Sequence, residues 1–407
     1  MTFSLLLRLG LILGLGFGVA LRGIAATEAV ASAQLPSKEE CEEFGQWIVE
    51  RFEAKELGEL TRVFDALAFT QAITAGLEVA DKEVLELSSG LRTGFARSFE
   101  AELNAFESAH FVRVQEKEGQ RRVLIRFVSG EGAVNYIAFI CARRTGGGVK
   151  WIDAFSYLTG ETFGASSRRL LLPILAEKKK SLLEKLTSSE NALVKNLLQM
   201  QRGLTLIRQQ KHAEALALLQ KLPAVLRKEK FFLLLEMRAA QALDEATYLK
   251  SLETIAAALP NDPTLDLVLL DGDFMRKDYA GALRRLASFE KEIGGDAYLN
   301  CLRANVHILT QDWPAGKKAA RAALAVEPAL FPAYDSLLLI AVTSKNHGEV
   351  ADVLSELEAN FPKMNMLEGI KDDEVYAEFR KSPAYAEWVA ARGKGTPELL
   401  RKPAPSK

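Results

Sequence analysis

Three cysteines and four histidines in 407 residues leave few groups for covalent, redox or metal chemistry. Cys41, Cys141 and Cys301 are too sparse for a disulfide framework, and an odd count leaves at least one thiol free. Cys41 and Cys141 fall in the same expected domain and are able to pair; the alternative is three small buried apolar side chains. His110, His212, His307 and His347 show no metal-ligand spacing, and the chain has no Gly-x-Ser-x-Gly elbow or phosphate-cradling glycine loop. His110, Cys141 and Asp153 can be drawn as a nucleophile set, but nothing in their spacing demands it. An excess of either charge is missing as well. Lys and Arg number 52 against 53 Asp and Glu, and a net charge of −1 gives no global attraction to nucleic acid or anionic lipid. The local run Lys178-Lys179-Lys180 reads as a solvated helix face. No cofactor and no catalytic residue are expected, and an enzyme is the least supported class.

What is present is the composition of a globular protein, 48% apolar and 26% charged, on a chain long enough for two or three folded units. Residues 1–33 are set apart. A weakly basic start at Arg8 is followed by a long apolar run and then by Ala31-Ser32-Ala33, which fits an A-x-A cleavage site before Gln34. The rival reading is an uncleaved anchor around Leu9–Leu21, which would hold the protein to a membrane; Arg8 and Arg22 bracket a stretch short for a span. Either reading places the folded part outside the cytoplasm, in a bacterial periplasm or cell envelope.

The second half repeats. Pro260, Gly294, Pro328 and Pro362 stand in register, since 294−260, 328−294 and 362−328 are each 34. His212, Glu245, Tyr279, Trp313 and His347 mark the residue just before the second helix of each unit, and Ala215, Tyr248, Ala282, Gly316 and Val350 fill a packing slot three residues on. Such a period is the signature of a helical-hairpin array. In "QDWPAGKKAARAALAVEP", residues 311–328, Pro314 sits in a first turn where a missing N–H costs nothing, and Gly316, Ala319, Ala320 and Ala323 allow close helix approach. On these residues the segment 196–362, about five hairpins, resembles the tetratricopeptide repeat (TPR) family. Its best unit runs from Ala297 to Pro328, with Ala304 in the small-residue slot and Trp313 in the aromatic slot. Tyr248, where alanine is usual, and Gly294, in place of the closing proline, depart from the pattern.

Residues 37–187 carry another pattern. Ser37-Lys38-Glu39-Glu40 is a capping box, which explains the acidic cluster Glu39, Glu40, Glu42 and Glu43 as a favoured helix start. Helical periodicity covers 57–77 and 82–108. The period then changes to two in "FVRVQEKEG", "RRVLIRFVS", "AVNYIAFICARR" and "VKWIDAFSYL", an antiparallel meander with Val123, Ile125 and Phe127 on one face. Helices first and sheet after predict an α+β domain. The element order is similar to cone-shaped NTF2-like domains and to bacterial phospholipid-carrier (MlaC-like) domains, which implies a sheet curled around an apolar cavity. Tyr136, Trp151, Phe155 and Tyr157 are the aromatics expected near it. In "SYLTGETFGASSRRLLLP", Ser166-Ser167 before Arg168-Arg169 reads as a helix cap, with anion binding the alternative.

The fold expected is therefore an α+β domain over 37–187, a TPR solenoid over 190–365, capping helices over 366–392 and a disordered tail over 393–407. The TPR resemblance implies a concave groove, here Leu197, Met200, Leu204, Ile207, Leu233, Met237, Leu267, Phe274, Tyr298, Asn305, Ile308 and Leu339. It lacks the Lys, Arg and Asn set that clamps a carboxylate and suits an apolar or amphipathic protein segment. The expectation is an exported protein-binding scaffold. The alternative is a carrier holding a lipid or small apolar ligand in the α+β domain, with the repeats as docking module.

Overall fold

A computed structural model describes residues 35–178 and 186–392. The expected signal segment and the expected tail lie outside the described residues, as do Lys179 and Lys180. An α+β domain is followed by an all-helical region of hairpins, and the described chain forms two compact units divided between Lys277 and Asp278.

The first unit opens with helices α1 (Lys38–Glu53), α2 (Leu57–Arg62), α3 (Ala66–Thr74) and α4 (Asp81–Leu103). Ser37 caps α1 as a full capping box, its Oγ accepting from the Glu40 N–H at 3.1 Å. The helical stretch expected over 57–77 is broken at Val63-Phe64-Asp65, because the backbone there pairs with a strand. Trp151 N–H donates to Val63 O at 3.2 Å, and Asp65 N–H to Trp151 O at 2.9 Å. Strands β1 (Ser108–Lys117), β2 (Gln120–Val128), β3 (Val134–Arg143), β4 (Val149–Ser156) and β5 (Glu161–Thr162) form an antiparallel meander in sequential order.

Val123, Ile125 and Phe127 face the core with Ile137 and Phe139 from β3, all fully buried beneath α1, α3 and α4. Strict alternation does not follow, because Leu124, Tyr136, Ala138 and Ile140 on the opposite face are also buried. Central strands buried on both faces read as continuous apolar runs, as "AVNYIAFICA" does. Cys41 of α1 and Cys141 of β3 are buried and free; Cys141 Sγ donates to Phe139 O at 3.4 Å, and burial pushes its thiol up.

Helix α5 (Phe163–Lys178) leads to α6 (Ser188–Lys195), whose start is a second capping box of Thr187 and Glu190. The hairpins then run α7 (Leu197–Arg208) with α8 (His212–Leu219), a short α9 (Ala224–Arg227), α10 (Lys230–Gln241) with α11 (Glu245–Ala258), and α12 (Asp266–Met275). The second unit contains α13 (Tyr279–Ile293), α14 (Ala297–Leu309) with α15 (Trp313–Val326), and α16 (Phe331–Thr343) with α17 (His347–Asn360). Three short helices end the described chain: α18 (Met366–Ile370), α19 (Ala377–Arg380) and α20 (Pro383–Arg392), the last packed on α17. Phe379 and Trp388 of these helices are buried.

The 34-residue spacing is that of real helices, one residue earlier than expected: α11, α13, α15 and α17 begin at 245, 279, 313 and 347, the positions expected to precede them. Each is N-capped by a side chain at the preceding position, Asp244, Asp278, Asp312 and Asn346. The two departures from the repeat have physical reasons. Gly294 ends α13 in the left-handed conformation, φ 84°, where a glycine cap serves in place of a proline stop. Tyr248 is large because its hydroxyl donates to Asp271 Oδ2 at 2.8 Å in the buried space between α11 and α12.

Within the first unit the sheet and the hairpins are joined by buried charge. Lys230 Nζ donates to Gly160 O at 3.0 Å and to Thr264 Oγ1 at 3.1 Å, and pairs with Asp262. Arg169 of α5 is buried with Glu161 at 3.6 Å, its guanidinium 4.4 Å from the Phe231 ring centre. Burial raises Glu161 to about 7, Arg169 opposing.

Candidate ligand cleft

Helix α4 is 23 residues long and carries two glycines in its middle, each costing about 1 kcal/mol of helix propensity relative to alanine. The residues Gly90, Gly94, Ser98 and Glu102 recur at four-residue steps, so they form one ridge; Leu91, Phe95 and Phe99 form the ridge beside it. A Cβ built on Gly90 or Gly94 meets nothing within 4 Å, so the glycines do not serve close packing. They open a cleft of about 290 Å³, completed by Phe163 and Ser167 from the first turns of α5.

The floor is aromatic and rigidly backed. Ring centres of Phe95, Phe99 and Phe163 lie 5.7–5.8 Å from one another. Behind them stands Trp151, 5.8 Å from Phe95 and 5.1 Å from Phe99, its indole N–H donating to Leu60 O at 2.8 Å. Glu102 closes one end, in the last turn of α4. Among the described residues no hydrogen bond or ion pair reaches its carboxyl. Glu102 is half-buried, and its partial removal from water raises it to about 8.

The start of α5 explains why the paired serines and arginines are not an anion site. The Asp153 carboxylate already occupies the helix start, Oδ1 accepting from the Gly164 N–H at 2.9 Å, and Thr162 Oγ1 accepts from Ala165 N–H at 3.1 Å. Asp153 itself is raised to about 6 by burial. Arg168 donates to Ile73 O and Ala75 O at 2.8 and 2.9 Å, and Arg169 is the buried partner of Glu161. His110, Cys141 and Asp153 are not assembled. His110 pairs with Arg126 on the face of β2 opposite Ile125 and Phe127, whereas Cys141 faces the core with them.

The aromatics expected near a cavity take other places. Trp151 lies one layer beneath the cleft, Tyr136 and Tyr157 are buried, and half-buried Phe155 packs on Tyr157 with ring centres 4.9 Å apart. None of the four lines it. Of the twelve residues assigned to a groove, Met200, Leu204, Ile207, Leu233, Met237, Leu267, Tyr298 and Ile308 are buried, and Leu197, Phe274, Asn305 and Leu339 are half-buried. Met200, Leu204 and Ile207 belong to one apolar core with Leu219, Phe232 and Leu235. Helix α12 is buried at every position from Asp266 to Asp273, and a helix buried all round packs on more than one side. Leu233 also borders a cleft of about 200 Å³ with Leu216 of α8 and Thr247 of α11.

Among the described residues no group of three His, Cys, Asp or Glu is placed to hold a metal ion, and no helix is long and apolar enough to cross a membrane. No family model matches the chain, and no curated protein matches it.

Proposed function

We propose that the protein is an exported binding protein whose α+β domain holds a small, largely apolar molecule in the cleft between α4 and α5, with TPR-like hairpins as its scaffold and docking module. The observation that carries this reading is the cleft itself. It is apolar, backed by a rigid ring cluster, of small-molecule size, and made by two glycines that otherwise cost stability. An engineered 150 Å³ apolar cavity binds benzene, and this one is about twice that volume. The reading is one of binding: among the described side chains the lining has one ionisable group, Glu102, beside the neutral hydroxyls of Ser98 and Ser167.

A second reading, a scaffold that grips a protein segment on the hairpins, is supported by the repeat register alone. Native mass spectrometry on the full chain, purified gently from its own envelope, separates the two. The carrier reading expects a bound mass below about 1 kDa that is lost in Gly94→Leu, a substitution that fills the cleft. Protein capture abolished by Leu233→Glu with no small bound mass would support the scaffold instead.

A further inference from the structure

The cleft has a chemical polarity that its size does not reveal. Among the described side chains its only ionisable group is the Glu102 carboxyl, and no lysine, arginine or histidine lines it. A carboxyl facing an aromatic pocket without a counter-charge is an incomplete ion pair, and aromatic faces are themselves attractive to cations. Resting on the ligand-binding reading above, we infer that the cleft selects a protonated amine with an apolar body, the ammonium on Glu102 and the body over Phe95, Phe99 and Phe163. A phosphate- or carboxylate-bearing lipid is the opposite case, since its headgroup would meet the one acid in the lining with no cation beside it.

Among the described side chains, the charged groups on neighbouring elements leave Glu102 alone. On α4 itself Glu100 accepts from the Thr61 hydroxyl at 3.2 Å and Arg92 is exposed. On α2, Glu59 and Arg62 pair with each other. On α5, Arg168 is held by Ile73 and Ala75 carbonyls and Arg169 by Glu161, while Asp153 caps that helix from β4. Serine hydroxyls at 98 and 167 remain in the lining as neutral hydrogen-bonding groups. With the acid poised near 8, an amine arriving at pH 7 displaces a proton from Glu102 as the pair forms.

The test is isothermal titration of the full chain with three probes of one shape: phenethylamine, 2-phenylethanol and phenylacetate. At pH 8.5 the amine is expected to bind at least tenfold more tightly than the alcohol, and phenylacetate to bind least. Amine affinity should rise about tenfold per pH unit between 6 and 7.5, while that of the alcohol stays flat. Glu102→Gln should bring the amine down to the alcohol and abolish its pH dependence without weakening the alcohol. Alcohol and amine binding equally well, or phenylacetate best, overturns the amine assignment but leaves a cleft that binds. No binding by any of the three overturns the ligand-binding reading with it.

Discussion

Replacing Gly90 or Gly94 by alanine should make the protein more stable and a poorer binder. Both glycines lie in the interior of a 23-residue helix with no positive φ at either, so alanine fits the backbone they already have. The added Cβ meets no heavy atom within 4 Å, so the overpacking penalty of a crowded site is absent. What remains is the propensity difference and the reduced freedom of the unfolded chain, about 0.5–1 kcal/mol for each position. The methyl groups do not touch each other at four-residue spacing, so the pair should reach about 1–2 kcal/mol. For a unit of this size each kcal/mol corresponds to about 2–4 °C in melting temperature. Thermal and urea unfolding followed by circular dichroism reads the gain, and titration with 2-phenylethanol reads the loss of affinity on the same samples. A fall in stability at either position would refute the reasoning, since it would mean that the space beside α4 is occupied.

Gly45 of α1 is the opposite case, because its Cβ would run into the Phe111 ring; Gly45→Ala should destabilise by about 1–3 kcal/mol in the same unfolding assay. Glu102→Gln should stabilise increasingly from pH 5 to 8, because the native acid keeps its proton to about 8 while the unfolded one loses it near 4.5; a gain that is the same at every pH would contradict the uncompensated burial. Tyr248→Phe removes the hydroxyl hydrogen-bonded to Asp271, which burial already raises to about 7, and should cost about 1–3 kcal/mol, with the larger loss at pH 8 than at pH 5 by urea unfolding. In the folded chain Cys41, Cys141 and Cys301, each at most 1% exposed, should resist a thiol reagent and all three should react in urea; fewer than three would mean that adjacent Cys41 and Cys141 have oxidised to a disulfide.

The order of elements was legible because each signal is local. The capping box at Ser37, the period-two runs and the 34-residue spacing need only neighbours along the chain, and the structure has all of them. A further local signal went unused: the caps Asp244, Asp278, Asp312 and Asn346 carry the same 34-residue spacing one residue earlier. The cleft was not legible, because its floor joins Phe95 and Phe99 of α4 to Phe163, more than sixty residues along the chain. Attention to strand aromatics such as Trp151 led to the layer beneath it. Only the paired mid-helix glycines pointed to the site, and glycine alone does not say whether it admits a neighbour or a void. Burial of inner-helix residues such as Met237 and Leu267 was equally hidden, since one apolar stripe looks the same whether it faces a groove or a core.

The most direct measurement is a crystal of the full chain soaked with 2-(4-bromophenyl)ethanol, with anomalous data collected at the bromine edge. The account predicts one bromine peak over the rings of Phe95, Phe99 and Phe163, absent from Gly94→Leu crystals grown the same way. No peak in that cleft, or a bromine seated only elsewhere, would contradict it.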